Sequence, residues 1–216
     1  MITVKTHLAI MDDGFETNTY IVTCEETGET AVVDPSLPEE SLVEKLKDKN
    51  VKYILVTHGH YDHIGGANFV KEKTGAKVVV HKEDEEMLLD GNKNEYNNNY
   101  DDEMVPVHAD ILVEDGSELP FGNTKIKVLH TPGHTKGGVC YLFNDDRVMF
   151  SGDTLFRLTA GRTDLYGGDA RTELMSLAKI RELEGDYTVY PGHDSSTTLD
   201  FERQYNRYMR TRFRIK

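Results

Sequence analysis

The feature that most limits what this chain can fold into is a run of four potential metal ligands within six residues. Residues 58–63 read HGHYDH, so the ligands are His58, His60, Asp62 and His63. The run directly follows the apolar residues 53–56, which have the composition of a buried strand. Imidazole and carboxylate groups together suit zinc, iron or manganese. Such a density of ligands at the end of a strand predicts a metalloenzyme.

Three further ligand-type residues follow apolar strands later in the chain: His134, Asp153 and His193. A glycine precedes each of them, and glycine permits the turn that brings a side chain back over a sheet edge. Seven ligands are more than one open tetrahedral ion needs, and they fit two ions that share a carboxylate. The sequence therefore predicts that Asp153 bridges two ions. One ion takes His58, His60 and His134, and the other takes Asp62, His63 and His193.

The apolar pattern predicts strands alternating with helices in both halves of the chain. Strands are predicted at residues 3–11, 19–24, 30–33, 53–56, 77–80, 125–129, 139–143, 148–150 and 188–190, and helices at 39–47, around 67–70, at 170–184 and from 199 onward. Two strand-rich halves whose helices need a sheet face to cover predict two sheets packed face to face, with the helices outside.

The asparagine-rich segment 92–102 interrupts this pattern. It contains five asparagines and is too polar to belong to a core. We expect a surface loop there. Its role is open between a tolerated insertion and a lid over the substrate.

Composition limits the class of protein. A chain of 216 residues fits one domain over residues 1–216, and its net charge of −13 disfavours a nucleic-acid partner. The first twenty residues lack the features of a signal peptide, and no apolar run is long enough to span a membrane. A cytoplasmic protein without a membrane partner is expected. Cys24 and Cys140 are far apart in the sequence and are predicted to be buried apolar residues rather than ligands or a disulfide.

Six sequence blocks resemble, in the same order, those of the metallo-β-lactamase-fold superfamily, and within it those of the glyoxalase II-like hydrolases (hydroxyacylglutathione hydrolases). The blocks are residues 18–20, 33–35, 57–63, 131–135, 151–156 and 190–194. The resemblance implies a four-layer αββα sandwich of mixed sheets, with the metal ions at one end of both. The ligand set that it implies is the same seven residues.

The expected chemistry follows from the pair of ions. Two divalent ions about 3.5–4 Å apart can hold a hydroxide as the nucleophile, with Asp62 and Asp153 contributing to catalysis as ligands. No general acid is evident, which favours a leaving group that departs without a proton. A thiolate does so, since the pKa of its thiol is about 8.5. The prediction is a hydrolase of small-molecule thioesters, with zinc as the first choice of metal and iron or manganese as alternatives.

The main alternative is a different reaction on the same fold. Persulfide dioxygenases resemble this chain through the same blocks, and they bind a single iron through the residues that match His58, His134 and Asp153. Metal stoichiometry distinguishes the two reactions. Two ions per chain favour hydrolysis, whereas one iron favours oxygenation.

Substrate contacts are predicted from the segment after Asp153. Residues 156–164 resemble the GRxD stretch of short glyoxalase II-like proteins and of persulfide dioxygenases. Arg157 and Arg162 are candidates to bind a substrate anion, and the alternative for Arg162 is an internal ion pair with Asp164. Asp34 is equally a candidate to orient a ligand histidine or to be a simple turn carboxylate.

The C-terminal part departs from the longer glyoxalase II enzymes, which carry a helical domain that binds glutathione. We expect no such separate domain in this chain, and a basic helix over residues 203–216 is predicted instead. Its arginines, Arg207, Arg210, Arg212 and Arg214, are expected to lie on a solvated face. The thiol carrier is therefore open between glutathione and another small thiol.

Overall fold

The computed structural model describes residues 1–210, and its first sheet is built from the N-terminal half. Its strands, in both chain order and spatial order, are β1 (Ile2–Ile10), β2 (Glu16–Cys24), β3 (Glu29–Val33), β4 (Asn50–Leu55), β5 (Lys77–His81) and β6 (Ile111–Val113). The first three strands pair antiparallel, and β3 to β6 pair parallel. The carboxyl ends of these parallel strands therefore meet at one edge.

The second sheet comes from the C-terminal half. Its strands are β7 (Glu118–Phe121), β8 (Thr124–His130), β9 (Val139–Phe143), β10 (Val148–Gly152), β13 (Thr188–Pro191) and β14 (Thr197–Thr198), and a separate hairpin pairs β11 (Leu155–Phe156) with β12 (Thr159–Ala160). The spatial order is β14-β13-β10-β9-β8-β7, with only β10 and β13 parallel. Both sheets are thus mixed.

Seven helices flank the sheets within the described residues: α1 (Glu40–Leu46), α2 (Tyr61–Ile64), α3 (Ala67–Thr74), α4 (Glu85–Leu89), α5 (Tyr96–Asn99), α6 (Ala170–Arg181) and α7 (Leu199–Tyr205). Asp169 caps the N-terminus of α6, and its side chain accepts a hydrogen bond from Thr172 N. Helix α3 ends at Gly75, where a φ of +72° is readily available to glycine. None of these helices has the length and apolar content that crossing a bilayer requires.

Three apolar cores hold the layers together. The central core lies between the sheets and contains residues from both. On the outer face of the first sheet, Leu42 of α1 packs in one cluster with Ile54. On the outer face of the second sheet, Leu177 of α6 shares a cluster with Met149. The predicted αββα sandwich is confirmed.

The C-terminal helix is shorter than predicted. Helix α7 ends at Tyr205 because the next residue, Asn206, is extended and buried, and its amide donates to Thr159 O and to Glu202 Oε2. Arg207 and Arg210 therefore follow the helix rather than lying on its face. The predicted positions of Arg212 and Arg214 lie outside the described residues. Both cysteines are buried and free, as predicted.

Candidate metal centre

All seven predicted ligands lie together at one end of the sandwich. They come from the segments that follow β4, β8, β10 and β13, with Asp62 and His63 on helix α2, so both sheets contribute to the site. Potential ligand atoms lie within 4.8 Å of one another in three groups: His58, His60 and His134; Asp62, His63 and His193; and His58, His63 and Asp153. The first two groups match the predicted division of ligands between two ions.

In the second group, the outer hydrogen bonds of the histidines determine which ring nitrogen carries the proton. His63 Nδ1 donates to Asp34 Oδ2 at 2.9 Å, and His193 Nδ1 donates to Glu16 O at 2.6 Å. In the neutral rings, the lone pairs are therefore on the Nε2 atoms. These two atoms lie 3.4 Å apart, and each is within 3.3 Å of Asp62 Oδ2. Facing lone pairs and a carboxylate form a site for a cation.

In the group of His58, His60 and His134, hydrogen bonds also determine which ring nitrogens carry the proton. His134 Nδ1 donates to Arg162 O at 2.7 Å, which leaves its Nε2 lone pair 2.9 Å from His60 Nδ1. His58 Nδ1 lies 3.1 Å from Thr57 Oγ1. Because the Thr57 hydroxyl donates its own hydrogen to Asp34 Oδ2, its oxygen accepts a hydrogen bond from His58 Nδ1. Nε2 of His58 and Nε2 of His60 are buried, with no hydrogen-bond partner among the described residues. Such orphaned nitrogens are what a metal ion would satisfy.

Asp153 lies between the two groups. Its Oδ2 is 3.6 Å from His134 Nε2 and 3.3 Å from His193 Nε2, whereas its Oδ1 is 3.4 Å from His63 Nε2. Oδ1 is buried without a hydrogen-bond partner. One carboxylate thus faces ligand atoms of both groups, which is the geometry expected of a bridge.

The two groups differ in electrostatics. Burial, together with the neighbouring imidazoles, lowers the pKa of His58 well below its usual value and that of His60 to about 3. Burial also opposes protonation of His193, but Asp153 and Asp62 outweigh it and raise its pKa to about 10. The pKa of Asp153 is held at about 2 because the histidines outweigh its burial. The centre therefore offers neutral nitrogens on one side and attracts positive charge on the other.

These donors fit divalent metal ions. Nitrogen and oxygen ligands without cysteine suit zinc, iron or manganese. A cavity of about 440 Å³ opens over the ligands and is bordered by His60, Asp62, His134, Asp153 and His193. We call it the metal cavity. Its opening leaves room for a substrate beside the ions, as a catalytic site requires.

Asp34 is not one of the predicted ligands, but it holds the ligand His63 in place through a hydrogen bond. This buried carboxylate accepts hydrogen bonds from Thr57 N at 2.7 Å, from Thr57 Oγ1 at 2.6 Å and from His63 Nδ1 at 2.9 Å. Asp34 has a φ of +49°, a conformation that aspartate tolerates better than most residues. Of its two predicted roles, the structure places it as the residue that orients a ligand histidine.

Asp84 is a second supporting carboxylate, and nothing in the sequence distinguished it from the other 37 acidic residues. It is fully buried and accepts from Gly59 N at 3.0 Å, Thr135 Oγ1 at 2.7 Å and Gly137 N at 2.6 Å. It thereby ties the HGHYDH loop to the loop that carries His134. Burial raises its pKa despite these hydrogen bonds.

The two arginines predicted to bind a substrate anion lie in different surroundings. Arg162 borders the metal cavity, and its side chain forms a two-pronged ion pair with Asp164 through Nε at 2.7 Å and Nη2 at 2.8 Å. Arg157 does not border this cavity, and its guanidinium lies over the Phe201 ring at 5.5 Å. The contribution of Arg162 that sequence could not show is its backbone carbonyl, which orients His134.

A smaller cluster of His81, Glu83 and His130 also has ligand-type atoms within 4.8 Å. The two imidazoles are stacked at 3.9 Å with an interplanar angle of 14°, so their lone pairs lie side by side rather than converging. His130 Nε2 donates to Lys136 O. We therefore interpret this cluster as packing rather than as a metal site.

A four-layer sandwich with imidazole and carboxylate ligands at one end of both sheets defines a class of metal-dependent enzymes. The chain belongs to this class: residues 12–193 match the model of the metallo-beta-lactamase superfamily. It is 34% identical to a "Probable metallo-hydrolase YqgX" of Bacillus subtilis, over 82% of this chain and 86% of that protein. It is also 34% identical to a "Hydroxyacylglutathione hydrolase" of Pelagibacter ubique, over 81% of this chain and 65% of that protein.

Solved structures agree with this assignment. BLEG-1, described as a B3 metallo-beta-lactamase, superposes with a TM-score of 0.87 and 32% identity over 96% of this chain and 99% of that chain. TTHA1623, solved in a di-iron-bound form, superposes with a TM-score of 0.78 and 29% identity over 94% of this chain and 99% of that chain. The protein is therefore a metal-dependent hydrolase of the metallo-β-lactamase superfamily.

Proposed function

We propose that the protein hydrolyses small-molecule thioesters at a dinuclear site, with zinc as the first choice of metal and iron or manganese as alternatives. The observation that carries this proposal is the position of Asp153, which faces ligand atoms of both histidine groups. Asp153 and Asp62 would supply negative charge to hold two cations. When bound, two divalent ions activate water at neutral pH and polarise a substrate carbonyl.

The chain prepares the site for those ions through its hydrogen bonds. Asp34, Glu16 O and Arg162 O each hold one histidine with its Nε2 lone pair inward. Ligands that are held in this way lose little conformational freedom when a metal binds. The proposed division keeps His58, His60 and His134 on one ion, and Asp62, His63 and His193 on the other.

A thioester is the substrate that this site suits best. Hydrolysis forms a C–O bond from water and breaks the C–S bond, and the sulfur leaves with the electron pair. A thiolate needs little help from a general acid, since the pKa of a thiol is about 8.5. The name of the Pelagibacter relative, a hydroxyacylglutathione hydrolase, supports a thioester as the class of substrate.

Metal analysis paired with activity tests this proposal. Protein purified without added metal is expected to contain two divalent ions per chain and to hydrolyse S-lactoylglutathione or a thioester of a neutral thiol. One iron per chain, together with sulfite formation from glutathione persulfide, would instead support the dioxygenase alternative with His58, His134 and Asp153 as iron ligands. Protein that is loaded with two ions but inert to every thioester would contradict the proposal.

A further inference from the structure

An apolar cavity lies beside the metal cavity and has no role in the chemistry described above. Its volume is about 500 Å³, within the range of small-molecule sites. Its apolar walls come from several elements and include Leu37, Ile64, Phe69, Met104 and Val107. We call it the apolar cavity.

One residue lines both cavities. Tyr61 follows the ligand His60 in the chain and borders both of them. Its ring makes edge contacts with Tyr96 at 6.3 Å and Tyr100 at 5.6 Å, and those two rings stack at 4.8 Å. The apolar cavity therefore begins one residue away from the metal ligands.

Residues of the asparagine-rich segment line both cavities. Tyr96 and Tyr100 border the apolar cavity, whereas Asn98 and Asn99 border the metal cavity. This short helical segment thus has an aromatic side and an amide side. Because its two sides line different cavities, we infer that the segment shapes the site. Neither of the two roles left open by the sequence, a tolerated insertion or a lid over the substrate, would require this division into an aromatic side and an amide side.

Exposed apolar residues surround the same region. Ile10 is 55% exposed and Val105 is 71% exposed, and both border the apolar cavity. Phe15, at 47% exposure, borders the metal cavity and packs 4.7 Å from the His193 ring. Large apolar side chains left open around a cavity indicate a surface that an apolar ligand covers.

The charges around both cavities disfavour a ligand with carboxylates. Apart from the predicted metal ligands, the acidic residues that border them are Asp12, Asp13, Glu72 and Glu95. Arg162 is the one lysine or arginine among the described residues that border either cavity, and Asp164 already neutralises it. A thiol that carries carboxylates would meet like charge at this mouth.

We propose that the apolar cavity binds the acyl chain of the thioester, and that the preferred substrates join an apolar acyl group to a thiol without carboxylates. This inference rests on the proposed thioester hydrolysis. The thiol has to reach water when the C–S bond breaks, so we place it at the open polar mouth between Asp13 and Asn98. The acyl chain then extends past Tyr61 into the apolar cavity.

Steady-state kinetics with one neutral thiol, N-acetylcysteamine, and acyl chains from acetyl to octanoyl tests the assignment. Each added methylene is expected to raise kcat/KM by about fourfold, the equivalent of about 0.8 kcal/mol, until the cavity is full. Varying the thiol at constant acyl group is expected to change kcat/KM little, except that added carboxylates lower it. Equal kcat/KM for all acyl lengths, or a dependence on the apolar length of the thiol instead, would overturn the inference.

Variants of Phe69 test whether the dependence of kcat/KM on acyl length arises in the apolar cavity. Phe69 is half-buried in the wall of the apolar cavity, and it does not border the metal cavity. Phe69→Ala is expected to reduce the ratio of kcat/KM for octanoyl over acetyl about tenfold, and Phe69→Leu is expected to restore most of that ratio. Leu112→Ala, at an exposed apolar residue of β6 outside both cavities, is the matched control.

The affinity for analogues that cannot be hydrolysed tests the acyl site independently of the proposed thioester hydrolysis. In a ketone analogue, CH₂ replaces the thioester sulfur, and the compound cannot be hydrolysed. Calorimetry on metal-loaded protein is expected to show the octanoyl analogue binding at least tenfold more tightly than the acetyl analogue, with the ratio reduced about tenfold in Phe69→Ala. If no thioester is hydrolysed but this difference persists, thioester hydrolysis is wrong and the acyl site stands. Equal binding of both analogues would overturn the acyl site.

Discussion

At the scale of single residues, the centre depends on which nitrogen of each histidine carries the proton. His58, His63, His134 and His193 all use Nδ1 for an outer hydrogen bond, so their Nε2 atoms are left for the interior. Sequence could select these residues as candidate ligands, because a strand end with several imidazoles is chemically unusual. It could not predict partners such as Arg162 O, because every residue has a carbonyl and only the fold decides where that carbonyl points.

Replacement of the shared carboxylate is expected to remove both metal and activity. Asp153→Ala leaves His63, His134 and His193 without the negative charge between them. Metal content should fall below one ion per chain, and thioester hydrolysis should fall by at least 10³-fold, the range found when a main catalytic interaction is lost. Elemental analysis and kcat/KM measure the two effects. His108→Ala, at an exposed histidine, should keep both near wild type, and a metal-replete, active Asp153→Ala protein would contradict the bridging role.

Loss of Asp34 should weaken metal binding without removing a ligand. Asp34→Ala frees His63 Nδ1 and leaves Thr57 N unsatisfied, so affinity is expected to fall by about 10–100-fold. Asp34→Asn keeps one acceptor oxygen and tolerates the positive φ, so its affinity should lie between that of Asp34→Ala and wild type. Competition with a chelator measures the affinity. Wild-type affinity in Asp34→Ala would show that His63 needs no orientation from Asp34.

At the scale of secondary-structure elements, sequence predicted best the segments with a long apolar pattern. The strand predicted at 139–143 has the same bounds as β9, and the helix predicted at 170–184 begins where α6 begins. The elements that were missed are short. Strand β7 has four residues and contains Pro120, which argues against a strand, and α5 is a single turn made largely of asparagine. Pairing with β8 and stacking of tyrosines form these elements, and neither contact can be seen in a local pattern.

Removal of the carboxylate at Asp84 should destabilise the loops that carry the ligands. Asp84→Ala leaves Gly59 N and Gly137 N buried without an acceptor, at a cost of about 3 kcal/mol in the free energy of unfolding. Guanidinium denaturation of the metal-free proteins measures this loss apart from metal binding. Glu83→Ala is the matched control at the exposed neighbouring residue and should change stability by less than about 0.5 kcal/mol. A loss of similar size in both variants would show that Asp84 does not tie the loops together.

At the scale of the whole molecule, each group of ligands connects the two sheets. His58 and His60 follow β4 of the first sheet, and their partner His134 follows β8 of the second. In the other group, Asp62 and His63 come from the first half of the chain, and His193 follows β13 of the second sheet. Two bound ions would therefore link the halves of the sandwich at the end where the apolar core stops. Metal binding is thus expected to contribute to stability as well as to chemistry.

Chelation should therefore lower the thermal stability of the whole protein. Free metal at about 1,000 times its dissociation constant stabilises the folded state by about 4 kcal/mol, and in a chain of this size that corresponds to a fall in Tm of about 8–16 °C on removal. Calorimetric scans with and without EDTA measure the change, and added metal should reverse it. Leu112→Ala should respond like wild type, because Leu112 is exposed on β6 away from the ligands. Asp153→Ala should show little response to EDTA, since it has lost the bridge between the sites. An equal fall in Tm for Asp153→Ala would mean that the stabilising metal binds elsewhere.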